Sequence, residues 1–152
     1  MTNRIYGLMP NFARHAGSWV GTYTHITPDG KRVDHHEVRT VSELPDDGSC
    51  DFRLRIHNVW SDGREAHLMH EANYRDGRLW FAGDLIGSMW EVDDFTVYLR
   101  FGYRRDPSIT VCEMIQISDD GQHKARTWHW FRDQKLVKIT LTQEQRMDPP
   151  PG

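Results

Sequence analysis

Five Asp-Gly dipeptides punctuate the chain, at Asp29-Gly30, Asp47-Gly48, Asp62-Gly63, Asp76-Gly77 and Asp120-Gly121. Asp-Gly between alternating apolar stretches is the strongest short-range signal for a β-hairpin. The segments around these turns read as strands: GSWVGTYTHIT, KRVDHHEVRTVSEL, CDFRLRIHNVW, REAHLMHEANYR, RLWFAG, DFTVYLRFGYR, SITVCEMIQIS, QHKARTWHWFR and KLVKITLTQEQR. Only residues 10–16, PNFARHA, read as helical, for a turn or two. About nine or ten strands in up-and-down order are therefore expected. A sandwich is the structural alternative, but it usually needs longer crossing connections, and residues 50–145 contain none. Closing the meander into a barrel removes its exposed edges. The expected fold is an all-β, up-and-down antiparallel barrel behind a short N-terminal helical turn.

A chain of 152 residues fits one domain and buries a core without disulfide staples. We expect the barrel to occupy residues 1–147, with 148–152 a disordered Pro-rich tail. The net charge of −3 gives no electrostatic reason to expect nucleic acid as a partner. No apolar run reaches the roughly 18 residues of a membrane span, so no membrane partner is expected. Cys50 and Cys112 make neither a disulfide framework nor a zinc cluster; two reduced thiols in a cytoplasmic protein is the expectation. The N-terminus, MTNRIYGLMPNF, lacks the apolar core of a signal peptide.

The first strand carries Gly17-x-Trp19, followed by Gly21 and Tyr23. This resembles the G-x-W start of lipocalins and their calycin relatives, in which the Trp plugs the closed end of the barrel under a basic residue from the last strand. The resemblance implies Arg146 for that partner, with Arg126 as second choice. GSWVGTYTHITPDGK at the front and WFRDQKLVKITLTQEQR at the back together resemble an uncharacterised lipocalin-like family best known from cyanobacteria, related in fold to the bilin lyases. Many of its members are longer and carry two barrels. No bilin-lyase active-site motif is present, so the resemblance implies a fold and a ligand-sized cavity but no substrate.

Strand side chains alternate between faces, so adjacent His35 and His36 point opposite ways on a regular strand. A three-residue Pro28-Asp29-Gly30 loop, favoured by Pro28, sets Tyr23 against His35 and turns Val33, His35, Glu37 and Arg39 inward. Asp34 and His36 then face solvent. A one-residue slip reverses this assignment, and a bulge breaks it. Downstream, a Ser61-Asp62-Gly63 loop sets Leu54 against His70 and Ile56 against Leu68. Phe95, Val97, Leu99, Phe101 and Tyr103 alternate with polar neighbours. Glu113 stands amid Ile109, Val111, Ile115 and Ile117. In the next-to-last strand His129 is placed inside, leaving Trp128 and Trp130 exposed and inviting a homodimer contact.

The inward polar set is then Tyr23, His25, His35, Glu37, Arg39, Asn58, His70, Glu113 and His129. Buried ionisable groups are costly unless paired, so this many implies a polar, wet cavity. Three functions fit. In the first, favoured here, the chain is an enzyme performing isomerase, lyase or cyclase chemistry on a partly apolar or aromatic small molecule, without a cofactor. Glu113, Glu37, His35 or His70 moves the proton; Tyr23, Arg39 or Asn58 holds an oxyanion; His25, His129, Trp60, Phe101 and Leu54 complete the ligand site. For Glu113 the competing reading is a structural ion pair with Arg39 or Arg126. In the second, the cavity carries a small hydrophobic ligand without catalysis. In the third and least favoured, His35, Glu37 and His25 hold a metal or haem. No nucleophile elbow, phosphate loop or nucleotide fingerprint is present.

Overall fold

The computed structural model describes residues 2–147. The expected tail, 148–152, lies outside the described residues. Two one-turn helices, α1 (Ile5–Leu8) and α2 (Pro10–Ala13), precede ten strands. These are β1 (Gly17–Ile26), β2 (Arg32–Glu43), β3 (Phe52–Val59), β4 (Glu65–Arg75), β5 (Arg78–Ala82), β6 (Leu85–Glu91), β7 (Thr96–Tyr103), β8 (Asp106–Ile117), β9 (His123–Arg132) and β10 (Lys135–Arg146). Every strand pairs antiparallel with its sequence neighbours, and β1 pairs with β10, so the sheet closes. The all-β up-and-down barrel is the fold. Its tenth strand is β6, LIGSMWE, which the Asp-Gly pattern does not mark because the β5–β6 turn uses Gly83-Asp84.

The helices and Trp19 close one end. Ile5, Met9 and Phe12 are buried, and the Phe12 ring meets Phe52 edge-on at 4.8 Å. Trp19 is fully buried and donates its indole N–H to the His15 carbonyl at 2.9 Å. Arg146 stacks over its ring at 4.3 Å and Lys124 at 4.1 Å. Arg146 also donates to the Ala16, Arg14 and Gly121 carbonyls at 2.7, 2.8 and 3.0 Å, tying the helices to the last strand. Gly17 is required under this lid. Its φ is +128°, and a Cβ there would lie 2.5 Å from the Arg146 guanidinium.

The first hairpin overturns one expectation. Its loop is the three-residue one: Thr27 and Lys31 pair across Pro28-Asp29-Gly30, and Gly30 has φ +92°. Ile26 still faces Arg32, but His25 faces Asp34, so Val33 is an extra residue, a β-bulge. From there the register is displaced by one, and Tyr23 faces His36 rather than His35. Asp34, His36, Val38, Thr40 and Ser42 turn inward; Val33, His35, Glu37 and Arg39 turn out. The β3–β4 hairpin has the expected register, Leu54 against His70 and Ile56 against Leu68.

The second correction concerns β9. Lys124, Arg126, Trp128 and Trp130 face inward, and His129 is exposed. The aromatic pair that motivated a homodimer contact therefore lies inside the barrel.

Candidate functional site

Behind the Trp19 plug lies a cavity of about 260 Å³. Its walls are apolar, from Leu54, Ile56, Met89, Leu99 and Phe101 among others. Its floor is charged. The register of β8, β9 and β10 sets Glu113 beside Trp128, Ile115 beside Arg126 and Glu144 beside Lys124. Glu113, Arg126 and Glu144 are each at most 6% exposed.

Arg126 organises this floor. One of its terminal nitrogens, Nη2, donates to Glu144 Oε1 and to Tyr23 Oη, both at 2.8 Å. The other, Nη1, lies 3.6 Å from Glu113 Oε2, too far for a hydrogen bond. Its Cζ sits 5.2 and 5.3 Å from the Tyr23 and Trp128 rings. Burial opposes the Arg126 charge, but Glu144, Tyr23 and Glu113 outweigh it, and the guanidinium pKa is raised. For Glu113 burial dominates, and Arg126 offsets only part of it; the carboxyl is pushed up to about 7. Burial lowers the Lys124 ammonium to about 7 and raises the Tyr23 phenol to about 12. Among the described residues, Glu113 Oε2, Glu144 Oε2 and Trp128 Nε1 are buried with no hydrogen-bond partner. The lining residues thus carry two unpartnered carboxylate oxygens and an indole donor, beside the unpartnered Arg126 Nε and His15 Nδ1, with a half-neutral carboxyl among them.

Polar groups also ring the mouth. Trp130 lies beside Trp128, ring centroids 5.7 Å apart, and donates to Thr140 Oγ1 at 2.8 Å. The His25 Nδ1 is 2.7 Å from the same hydroxyl. His36 reaches Asn58 Oδ1 with Nε2 at 2.9 Å and Asp34 Oδ2 with Nδ1 at 2.7 Å. Burial lowers the His25 imidazole to about 4, and burial likewise lowers His70. Phe101 meets Phe81 and Tyr103 edge-on at 6.0 and 5.8 Å, forming one aromatic side of the opening.

Of the residues singled out by sequence, Glu113, His70, Tyr23, Asn58, His25, Trp60, Phe101 and Leu54 line this cavity. His35, Glu37, Arg39 and His129 do not. Glu37 and Arg39 pair with each other at 3.0 Å on the outer face, and His35 meets Thr24 Oγ1 there at 2.8 Å. The ion-pair partner of Glu113 is Arg126, not Arg39. The sequence reading missed Asp34, His36, Lys124, Glu144, Trp128 and Trp130. One signal was available. Lys124, Arg126, Trp128 and Trp130 share a parity, as do Thr140, Thr142 and Glu144; placing the two tryptophans inward brings the charged residues with them.

No family model matches the chain, and no curated protein matches it. Solved structures do. An S-type phycobiliprotein lyase from Guillardia theta superposes with a TM-score of 0.74 at 17% identity, covering 98% of this chain and 99% of that one. A protein of unknown function of the DUF3598 family from Nostoc punctiforme gives 0.68 at 17% identity, over 89% of this chain but only 48% of that one. The chain therefore spans about half the length of the Nostoc protein. Rv2717c from M. tuberculosis gives 0.65 at 14% identity, covering 93% and 98%. The fold is the lipocalin-like barrel. Identities this low show the fold alone.

Proposed function

We propose that the barrel binds a small, largely aromatic molecule with one carbonyl-type polar end, and that Glu113 moves a proton on it. The observation that carries this is Glu113 itself: a carboxyl at 3% exposure, pushed up to about 7, with an unpartnered oxygen lining the cavity. A general base poised near the working pH is the efficient one.

Tyr23 and Arg126 supply the complementary half. The Tyr23 oxygen accepts from Arg126, which leaves its own O–H to donate into the cavity. A phenol held at about 12 keeps that proton near neutrality. A substrate carbonyl held by the Tyr23 hydroxyl acquires negative charge as Glu113 removes a proton from the adjacent carbon. The hydrogen bond strengthens as that charge grows. The protonated Glu113 then returns its proton to a conjugated carbon, which completes an isomerisation without change of oxidation state; return to the same carbon gives exchange alone. The aromatic walls suit a flat apolar body and exclude bulk water from the proton. A lipocalin-like barrel that serves as a phycobiliprotein lyase supports small-molecule chemistry on this scaffold.

A carrier is the alternative reading, favoured by the ion pair that gives Glu113 a structural role. The two separate in deuterium oxide with the ketone 2-tetralone, a bicyclic aromatic with exchangeable protons beside its carbonyl. An enzyme of this kind accelerates their exchange, and Glu113→Gln loses the acceleration while still binding the ketone. A carrier binds the ketone and leaves the exchange rate at that of buffer.

A further inference from the structure

The bulge at Val33 has a consequence beyond the floor of the cavity: it carries Asp34 and His36 to the inner face beside His25. We infer that His25, Asp34 and His36 form a site for a divalent transition-metal ion, zinc or a neighbouring first-row metal, at the mouth of the barrel. The site is separate from the proton chemistry at Glu113 and does not depend on it.

The donor geometry is the first support. One ring nitrogen each of His25 and His36 and one Asp34 oxygen lie within 4.8 Å of one another. Asp34 Oδ2 is 3.6 Å from His25 Nε2 and 2.7 Å from His36 Nδ1. Metal–ligand bonds of about 2.0–2.2 Å place neighbouring donors roughly 3.0–3.5 Å apart, so these separations bracket what an ion needs. Two imidazoles and one carboxylate, with both rings lining the cavity, is a donor set suited to zinc, iron(II), cobalt or nickel.

The outer contacts are the second support. Each donor is oriented by a partner on its other atom. Trp60 Nε1 donates to Asp34 Oδ1 at 3.1 Å, leaving Oδ2 for the histidines. His25 Nδ1 meets Thr140 Oγ1, and His36 Nε2 meets Asn58 Oδ1. The His36 ring is further fixed by stacking on Trp60 at 4.2 Å. Ligating histidines are held in this way, by a hydrogen bond from the ring nitrogen that does not bind metal.

The third support is the shared oxygen. Asp34 Oδ2 lies 2.7 Å from His36 Nδ1 and 3.6 Å from His25 Nε2, so both rings approach one carboxylate oxygen. His36 is 2% exposed at its side chain, His25 15% and Asp34 30%, so the donors are built into the wall while Asp34 stays reachable from solvent.

Lys138 is the charge that opposes this. It lies close enough to His25 and Asp34 to act on both, with its ammonium 4.1 Å over the Trp130 ring. A second cluster, His57, Glu65 and His67, gathers a similar donor set on the outer face, where the two rings stack at 4.1 Å and His57 Nε2 lies 3.3 Å from Glu65 Oε1, a contact within the cluster itself. It is the control.

The test is calorimetric titration of metal-free protein with zinc chloride, paired with the visible absorption of the cobalt(II) form. The expected result is one equivalent bound. Asp34→Asn and His25→Gln should each weaken zinc by more than about a hundredfold, and Thr140→Val by about ten- to a hundredfold. His67→Ala should leave binding and the cobalt spectrum unchanged. Thermal melts establish that each variant is folded; Asp34→Asn and His25→Gln are independent, so either suffices. Less than a tenth of an equivalent bound, or binding that survives both variants and disappears in His67→Ala, overturns the proposal.

Discussion

The rings of Tyr23 and His36 face each other across β1 and β2, centroids 5.4 Å apart and nearly perpendicular. The contact exists because Val33 is an extra residue, and it decides which half of the His35-His36 pair meets the cavity. Thiol labelling reads this directly. In a Cys112→Ser background, His35→Cys should react with a maleimide at close to the rate of a free thiol. His36→Cys should react slower by orders of magnitude until the protein is unfolded. Equal rates would mean the bulge is misplaced.

Arg126 is the ion-pair partner of buried Glu144 at 2.8 Å and lies 3.6 Å from Glu113, so its removal leaves an uncompensated buried charge. Arg126→Met should destabilise the fold by about 3–5 kcal/mol in urea unfolding. Adding Glu144→Gln should recover most of that loss, since it removes the carboxylate bound at 2.8 Å. Arg132→Met, at an exposed pair, should change stability by less than about 1 kcal/mol.

Glu113 and Lys124 make opposite contributions to the pH dependence of stability. Between 4.5 and about 7 the folded chain keeps a proton on Glu113 that the unfolded chain has lost, so this contribution falls as pH rises. Between about 7 and 10.5 the unfolded chain keeps a proton on Lys124 that the folded chain has lost, so that contribution climbs with pH. His15 and His25, both lowered by burial, run against Glu113 below pH 6.5. The limbs are therefore read as differences. Wild type minus Glu113→Gln should decline by on the order of a few kcal/mol from pH 4.5 to 7. Wild type minus Lys124→Met should rise by a similar amount from pH 7 to 10.5. A flat difference in either window removes that group from the buried floor.

The barrel was legible because its signals are local. Asp29-Gly30, Asp62-Gly63 and Asp120-Gly121 each close a hairpin where they stand, and the G-x-W stretch led to Arg146 over Trp19. The interior was only half legible. Glu113 announced itself as a lone carboxylate among isoleucine and valine. Lys124, Arg126 and Glu144 did not, because β9 and β10 invert the usual pattern: Leu141 is exposed while Thr140, Thr142 and Glu144 are buried. An apolar-in rule cannot find a charged interior. The turn after β1 was read correctly from Pro28 and Gly30, yet the faces beyond it came out reversed. A bulge adds one residue without a composition of its own, and nothing in VDHHEVR distinguishes Val33 in the ladder from Val33 outside it.

The role proposed for Glu113 is that of a working base inside the cavity. The most direct measurement is the pH profile of α-proton exchange on 2-tetralone in deuterium oxide, followed by NMR. Catalysed exchange should rise with pH through a single ionisation near 7 and level off above it, as the Glu113 carboxylate forms. Glu113→Gln should lower the plateau above pH 7 by about 10²–10⁴ and abolish the inflection near 7, with 2-tetralone binding retained. Exchange at the buffer rate in wild type, or a profile that Glu113→Gln leaves unchanged, would contradict the account.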